Sequence, residues 1–229
     1  MDVVVLCGGK GLRLRPLTEK IPKPLVYIKD KPLLQHILDF YSAWGFTRFI
    51  LCIGYKGEMI REYFASQRKT WDITYVDSGD VDIIRRIYDT RDIVSDQFIV
   101  SYGDTIADVN LKKLIAFHNA KRGLVTITTC RMRSPFGIVF SDLEGLVYSF
   151  REKPLMDYWT NIGYMIFEKV ALRHVRRNET LISFLERLIS KGAVYSFRHE
   201  GVDLTVNTVQ DIEEAVKDID KFLARRGKI

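Results

Sequence analysis

The sequence predicts an α/β fold, wound with helices on both faces of a mostly parallel central sheet. Three observations carry this. Val3–Cys7 and Arg48–Gly54 are short apolar runs without polar alternation, the pattern of parallel strands covered on both faces. Stretches with helical apolar spacing fall between successive strand-like runs through residue 130. Gly8, Gly9 and Gly11 follow the first run at once, at the strand end where open α/β sheets collect ligands.

The elements follow in order. After strand 3–7, a helix over 31–44 opens with Pro32 and stops at Gly45, with Leu33, Leu34, Ile37, Leu38, Tyr41 and Trp44 on one face. Strand 48–54 precedes a helix over 58–64 whose apolar set is Met59, Ile60, Tyr63 and Phe64. Strand 72–76 leads to a helix over 81–94, with Ile83, Ile84, Ile87 and Tyr88 inward. Strand 97–101 runs into Tyr102-Gly103-Asp104, and a helix over 110–121 packs through Leu111, Leu114, Ile115 and His118 before strand 125–130. This alternation is that of a doubly wound, Rossmann-like sheet with right-handed crossovers. The rhythm then changes. Residues 136–140, 146–150 and 162–167 read as short strands without long helices between them, a small mixed-sheet substrate subregion forming one wall of a pocket. A helix over 180–191, a strand over 193–199 and a helix over 208–224 close the chain, the last striped by Val209, Ile212, Val216, Ile219 and Leu223. There is no repeat and no low-complexity linker, so 1–229 is expected to be a single domain.

Composition narrows the function classes. With 47% hydrophobic residues the chain is not a disordered one. No apolar run reaches the ~18 residues of a membrane span, and the start has Asp2 where a secretory leader is basic. Cys7, Cys52 and Cys130 are scattered without CxxC spacing, as buried thiols of a reducing compartment are. A cytoplasmic protein is expected. The formal charge is +6, and residues 10–31 hold seven basic side chains against two acidic ones, so the remainder is nearly neutral. A basic patch concentrated beside glycines asks for a small polyanion. A nucleic-acid partner wants a basic face interleaved with stacking residues, and a membrane surface has only residues 224–228 to attract it, so neither partner is expected. The glycine loop is neither GxxxxGK[ST] nor GxGxxG, which argues against a P-loop enzyme and a dinucleotide oxidoreductase.

The loop chemistry suits phosphate. Glycines let backbone N–H groups approach phosphate oxygens with no Cβ in the way. Arg13 offers a planar fork and Lys23 a mobile point charge. The string GGKGLRLRPLTEKIPKPL resembles the signature of the sugar-1-phosphate nucleotidyltransferases, GG-x-G-T-R-L-x-P-L-T followed by P-K-P. It matches at Gly8, Gly9, Gly11, Arg13, Leu14, Pro16, Leu17, Thr18, Pro22, Lys23 and Pro24, and departs at Leu12, where the family has Thr or Ser. Residues 41–64 and 101–118 look most like the glucose-1-phosphate cytidylyltransferase branch, which favours CTP over the GTP and UTP of related branches. The resemblance implies Mg²⁺-assisted, direct transfer of a nucleotidyl group from an NTP to a sugar 1-phosphate, releasing pyrophosphate. Residues 1–130 would then form the nucleotide-binding half and 131–229 the sugar-phosphate-binding half. Arg13 would hold the β/γ phosphates and Lys23 the α-phosphate beside the attacking phosphate. A homo-oligomer is compatible with the resemblance.

Transfer between two anions needs charge neutralised by basic clamps and a divalent ion. Asp104, after a strand and a Gly, is placed for a metal ligand, although a lone Asp there is otherwise a turn residue or a cap. The resemblance puts the family's second metal-binding Asp at Thr205, or at Asn207 in the cytidylyltransferase wording. Asp203, two residues before Thr205 on the same strand face, is the substitute, so the metal set is Asp104 with Asp203 or Asn207. Asp108, Thr208 and Asp211 read as helix caps. The resemblance also implies Glu152 of an E-K-P motif toward sugar hydroxyls, Lys153 toward the sugar phosphate, and Asn161 with Gly163 of an N-x-G-x-Y motif at the sugar. Arg131 and Arg133 either add phosphate contacts or belong to a solvated hairpin. The base-reading loop of relatives is reduced here to Ser78-Gly79 among Asp77, Asp80 and Asp82. Three acids are unhelpful near a triphosphate unless they face away or hold an ion. Gly8, Gly79 and Asp104 are the expected nucleoside contacts. The altered second carboxylate and the short loop motivate an alternative, a nucleotide-sugar-binding protein with little catalysis.

Overall fold

The structure, a computed structural model, describes residues 1–67 and 71–226, with side chains described through residue 222. The elements in chain order are β1 (Asp2–Leu6), α1 (Leu17–Lys20), β2 (Tyr27–Ile28), β3 (Lys31–Pro32), α2 (Leu33–Ala43), β4 (Arg48–Ile53), α3 (Gly57–Ala65), β5 (Asp72–Asp77) and α4 (Ile83–Tyr88). They continue with β6 (Gln97–Tyr102), β7 (Thr105–Ala107), α5 (Leu111–Lys121), β8 (Val125–Arg133), β9 (Ile138–Ser141), β10 (Val147–Arg151), β11 (Leu155–Glu168), α6 (Leu181–Ile189), β12 (Val194–His199), β13 (Asp203–Thr205) and α7 (Val209–Arg226).

Seven strands form one sheet in the order β12-β8-β11-β6-β1-β4-β5. Its neighbours are parallel except β11, which runs antiparallel to both β6 and β8. The apolar run of β1 faces both ways. Val3 and Val5 join one core with Leu34, Ile37 and Leu38 of α2, Ile60 of α3, Leu111 of α5 and Phe222 of α7. Val4 faces the other core with Ile50, Ile84 and Ile87 of α4 and Phe184 and Leu188 of α6. The predicted α/β fold with a mostly parallel sheet is present, and two full layers of side chains leave β1 and β4 without a polar face.

Three local features differ from expectation. Helix 81–94 shortens to α4, because Asp89, Thr90 and Asp92 favour turns; the Thr90 hydroxyl donates to the Ile87 carbonyl at 2.7 Å. Of the three short strands, β9 and β10 form a separate antiparallel hairpin, whereas 162–167 is the end of a 14-residue strand, β11, in the main sheet. β8 and β11 run on past β6 as a two-stranded ribbon, pairing Arg131 with Trp159 and Arg133 with Leu155. Finally, β7 and β13 form a short antiparallel ladder of their own beside the carboxyl end of β6. The stripe of α7 is seen through Phe222; the Leu223 side chain lies outside the described residues.

Candidate active site

The carboxyl ends of β1 and β6 open onto a cleft of about 590 Å³. Gly8, Gly9, Gly11, Arg13 and Lys23 line it, with Asp80, Arg86, Tyr102, Asp104 and Asn207. The sheet builds this edge directly: the Gly103 N–H donates to the Leu6 carbonyl at 3.0 Å, which ties the turn after β6 to the end of β1.

Lys23 sits in a single 3-10 turn between Pro22 and Pro24. Two fixed φ angles hold its backbone, so ordering it at the cleft costs little entropy. Its Nζ donates to Asp104 Oδ2 at 2.6 Å and to Asn207 Oδ1 at 3.0 Å. The same Asn207 oxygen accepts from an Arg13 Nη at 2.7 Å. Two cations and two oxygen-bearing side chains from four chain segments therefore meet at one point. The short ladder places them. Val206 N–H donates to the Asp104 carbonyl at 2.9 Å, bringing Asn207 to the Asp104 side of the cleft. Asp211 fixes it there by accepting from the backbone N–H groups of Asn207 and Thr208, at 2.7 and 2.8 Å. Thr208 Oγ1 accepts from the Asp211 N–H at 3.2 Å, so Thr208 and Asp211 cap α7 reciprocally.

Asp203 goes elsewhere. β13 pairs antiparallel with β7, so the chain before Val206 runs away from Asp104, and Asp203 lies opposite Ala107. With Thr205 it lines a second cavity of about 660 Å³, together with Cys130 and the acidic edge of α7. Burial first, and then the neighbouring Asp203 charge, push the Cys130 thiol up to about 11. Asp108 is not a helix cap either. It accepts from the Val202 N–H at 2.7 Å and pairs with His199 at 3.0 Å, while Asn110 caps α5.

The three aspartates of the loop after β5, Asp77, Asp80 and Asp82, are each committed. Asp77 accepts from the Gly79 N–H at 2.9 Å. Asp82 accepts from Ile84 N at 3.0 Å, capping α4, and from Leu181 N at 2.8 Å. Asp80 pairs with Lys10 at 2.5 Å, and this hydrogen bond and charge lower its carboxyl below the usual range. Each acid has a backbone or lysine partner, so the loop does not present three unpaired carboxylates to an anion.

Of the residues expected at the sugar, Asn161 reaches the Tyr102 hydroxyl with Nδ2 at 3.4 Å, and its Oδ1 accepts from the Gly163 N–H at 2.9 Å. This places Asn161 beside the cleft-lining Tyr102. Glu152 and Lys153 follow β10, are exposed, and do not line the cleft; Gly137 leaves room for the Glu152 carboxylate and the Phe150 ring. Arg131 pairs with Asp157 at 2.8 Å and Arg133 donates to the Lys153 carbonyl at 3.1 Å, so both stabilise the ribbon. Arg86 was invisible to motif reading. It is buried, and it donates to the carbonyls of Ile53 and Gly79 at 3.1 and 2.7 Å.

Over residues 2–222 the sequence matches the nucleotidyl transferase family. The chain belongs to that family. It is 32% identical to a probable glucose-1-phosphate cytidylyltransferase of Bacillus subtilis (strain 168), over 95% of each chain. It is also 32% identical to the glucose-1-phosphate cytidylyltransferase of Salmonella typhi, over 92% of this chain and 93% of that one. Among solved structures it is similar to HddC from Yersinia pseudotuberculosis, at a TM-score of 0.75 and 23% identity, covering 95% of this chain and 99% of the other. As a family member it is an enzyme of the sugar-1-phosphate nucleotidyltransferase type. Among the described residues no helix is long and apolar enough to cross a membrane.

A divalent ion fits the donor set at the cleft. Asp104 offers a carboxylate and Asn207 an amide oxygen; both accept from the Lys23 ammonium here, and a bound divalent ion would take its place on them. Among the described residues no group of three or more His, Cys, Asp or Glu could hold a metal on its own. Two oxygens suit Mg²⁺, which takes few protein ligands and fills its shell with water and substrate phosphates.

Proposed function

We propose that the enzyme transfers a cytidylyl group from CTP to a sugar 1-phosphate, with glucose 1-phosphate the first acceptor to test, giving the nucleotide sugar and pyrophosphate. The observation that supports it most is the meeting of Arg13, Lys23, Asp104 and Asn207 at the mouth of a cleft beside a glycine loop. The choice of base and sugar leans on the relatives named glucose-1-phosphate cytidylyltransferases.

The reading assigns each residue a task. Backbone N–H groups of Gly8, Gly9 and Gly11 receive triphosphate oxygens. Gly79, with Gly8 and Asp104, frames the nucleoside. Arg13 holds the β/γ phosphates, so negative charge accumulating on the departing pyrophosphate meets a guanidinium. Lys23 lies between the two anions and offsets their repulsion as they approach. An oxygen of the sugar 1-phosphate bonds to the α-phosphorus. The bond from that phosphorus to the α–β bridging oxygen breaks, and its electron pair leaves with pyrophosphate. Asp104 and Asn207 would hold Mg²⁺, which when bound neutralises phosphate charge. Asn161, Gly163, Glu152 and Lys153 are assigned to the sugar phosphate, the last two reaching it from the hairpin. The buried, free thiols of Cys7, Cys52 and Cys130 support a reducing, cytoplasmic setting.

Pyrophosphate release, measured over CTP, UTP and GTP against a panel of sugar 1-phosphates with Mg²⁺, tests the assignment. Fastest release with CTP is expected. Fastest release with UTP or GTP would reassign the base. Tight nucleotide binding without turnover across the panel would favour the binding-protein alternative.

A further inference from the structure

Arg86 carries a charge into the wall of the cleft with no carboxylate among the described residues in contact, although its charge helps to lower the exposed Asp80 carboxyl. It stands on α4 and is 6% exposed. Among the described residues no acidic side chain forms an ion pair with it; its guanidinium donates to the carbonyls of Ile53 and Gly79 at 3.1 and 2.7 Å. The Gly8 carbonyl is 3.5 Å away. A buried, unpaired guanidinium is costly, so its retention at a ligand cleft needs a reason.

The surrounding glycines supply one. A Cβ on Gly8 would stand 2.1 Å from Arg86 Nη1 and 2.7 Å from the Ile53 carbonyl oxygen, and a Cβ on Gly54 would stand 2.8 Å from the Gly8 carbonyl oxygen and 2.9 Å from Arg86 Nη1. Two turns in different parts of the sequence therefore lack side chains where this guanidinium lies. A third turn, at Gly79, is held by its carbonyl. Arg86 thus joins the glycine loop after β1, the end of β4 and the loop after β5. Above it, on the exposed side, Lys10 and Asp80 tie the first and third of these together at 2.5 Å. Arg86 and the Lys10–Asp80 pair thus both link the glycine loop after β1 to the loop after β5.

We propose that Arg86 is a positioning residue for nucleobase discrimination. It fixes the Gly79 loop relative to Gly8, and so sets where a base edge can lie once the phosphates are seated. This rests on the nucleotide-binding reading of the cleft but not on transfer to a sugar. A loosened loop would bind all nucleotides less tightly and separate them less, while bound phosphates would still meet Arg13 and Lys23.

The test is calorimetric titration of the full chain with CTP, UTP and GTP, without sugar phosphate, for the parent, Arg86→Lys and Arg86→Gln. Arg86→Gln removes the buried charge but keeps an amide donor for the Gly79 carbonyl, and so serves where Arg86→Lys does not fold. Thermal midpoints confirm which variants are folded. Folded variants are expected to lose about tenfold in affinity for the preferred nucleotide and to narrow its lead over the others. In turnover assays kcat at saturation should stay within about threefold of the parent, with KM for the nucleotide raised. Unchanged discrimination in a folded variant, or a fall in kcat with unchanged affinity, would overturn the proposal. A parent that binds nucleotide selectively but never releases pyrophosphate would remove the transferase reading and leave the Arg86 comparison intact. A parent that binds no nucleotide would overturn both.

Discussion

Lys23 and Asp104 meet at 2.6 Å across the cleft, one from a proline-flanked turn near the start of the chain and the other from the end of β6. The pair is the pivot of the site. Asp104 orients the ammonium, and Asn207 shares it at 3.0 Å. Charge that would otherwise be solvated is aimed into the cleft, where the proposed reaction brings two phosphates together.

Removing the ammonium should therefore reduce transition-state stabilisation. Lys23→Ala is expected to lower kcat/KM by about 10²–10³, the range for losing one preorganised donor. Steady-state pyrophosphate release measures it, and a rate within a fewfold of the parent would count against the clamp.

Asn207 supplies a neutral oxygen where a carboxylate would bind a hard cation more strongly. Asn207→Asp adds a charge beside Asp104 and is expected to tighten divalent binding by roughly tenfold. Mn²⁺ titration followed by electron paramagnetic resonance reads this directly. An unchanged or weaker Mn²⁺ affinity would place the ion elsewhere.

Gly163 holds φ +77, and a Cβ there would stand 2.3 Å from Tyr102 Cγ. Gly163→Ala combines left-handed strain with a clash into the base of the Tyr102 side chain. It should cost about 2–3 kcal/mol, or roughly 5–10 °C in thermal midpoint. It should also displace Asn161, whose Oδ1 accepts from the Gly163 N–H, and so raise KM for the sugar phosphate. A thermal scan and a sugar-phosphate titration separate the two effects.

His36 titrates below its ordinary value, first because it is buried and then because Lys31 is near; its bond to the Ile28 carbonyl and the charges of Asp30 and Asp39 oppose this. Nε2 donates to that carbonyl at 2.9 Å, and burial outweighs this bond in favouring the neutral ring. The unfolded chain takes up the proton near pH ~6.5, where the folded chain does not. The contribution is therefore present above that pH and is lost as pH falls toward the depressed folded value. The thermal midpoint should decline from pH 7 to 5 more steeply in the parent than in His36→Gln. Equal slopes would remove His36 as a source of the acid sensitivity.

The parts of the fold that were legible are those with local signals. β1 and β4 announced themselves as unbroken apolar runs, and α2 by its spacing. The glycine loop and the P-K-P turn were legible as motifs, and the structure brings Arg13 and Lys23 together. What was not legible is long-range. The β7–β13 ladder pairs Thr105 with Thr205, a hundred residues apart, over three residues that carry no period. It separates Asn207, which reaches Lys23, from Asp203, which turns toward Cys130. Arg86 carries no motif. Its guanidinium lies against the turns at Gly8 and Gly54, which no window around residue 86 contains. The polar first half of β11, with Asp157, Thr160 and Asn161, does not read as a strand because it is a ribbon beyond the covered sheet.

The most direct test of the site is pyrophosphate release by the parent and by Asp104→Asn, side by side, with Mg²⁺, CTP and the sugar 1-phosphate that gives the highest rate. The substitution keeps the shape of the side chain and removes the charge that holds Lys23 and would hold the cation. Turnover by the parent and a loss of at least about 100-fold in the folded variant are predicted; equal rates in the two proteins would contradict the account.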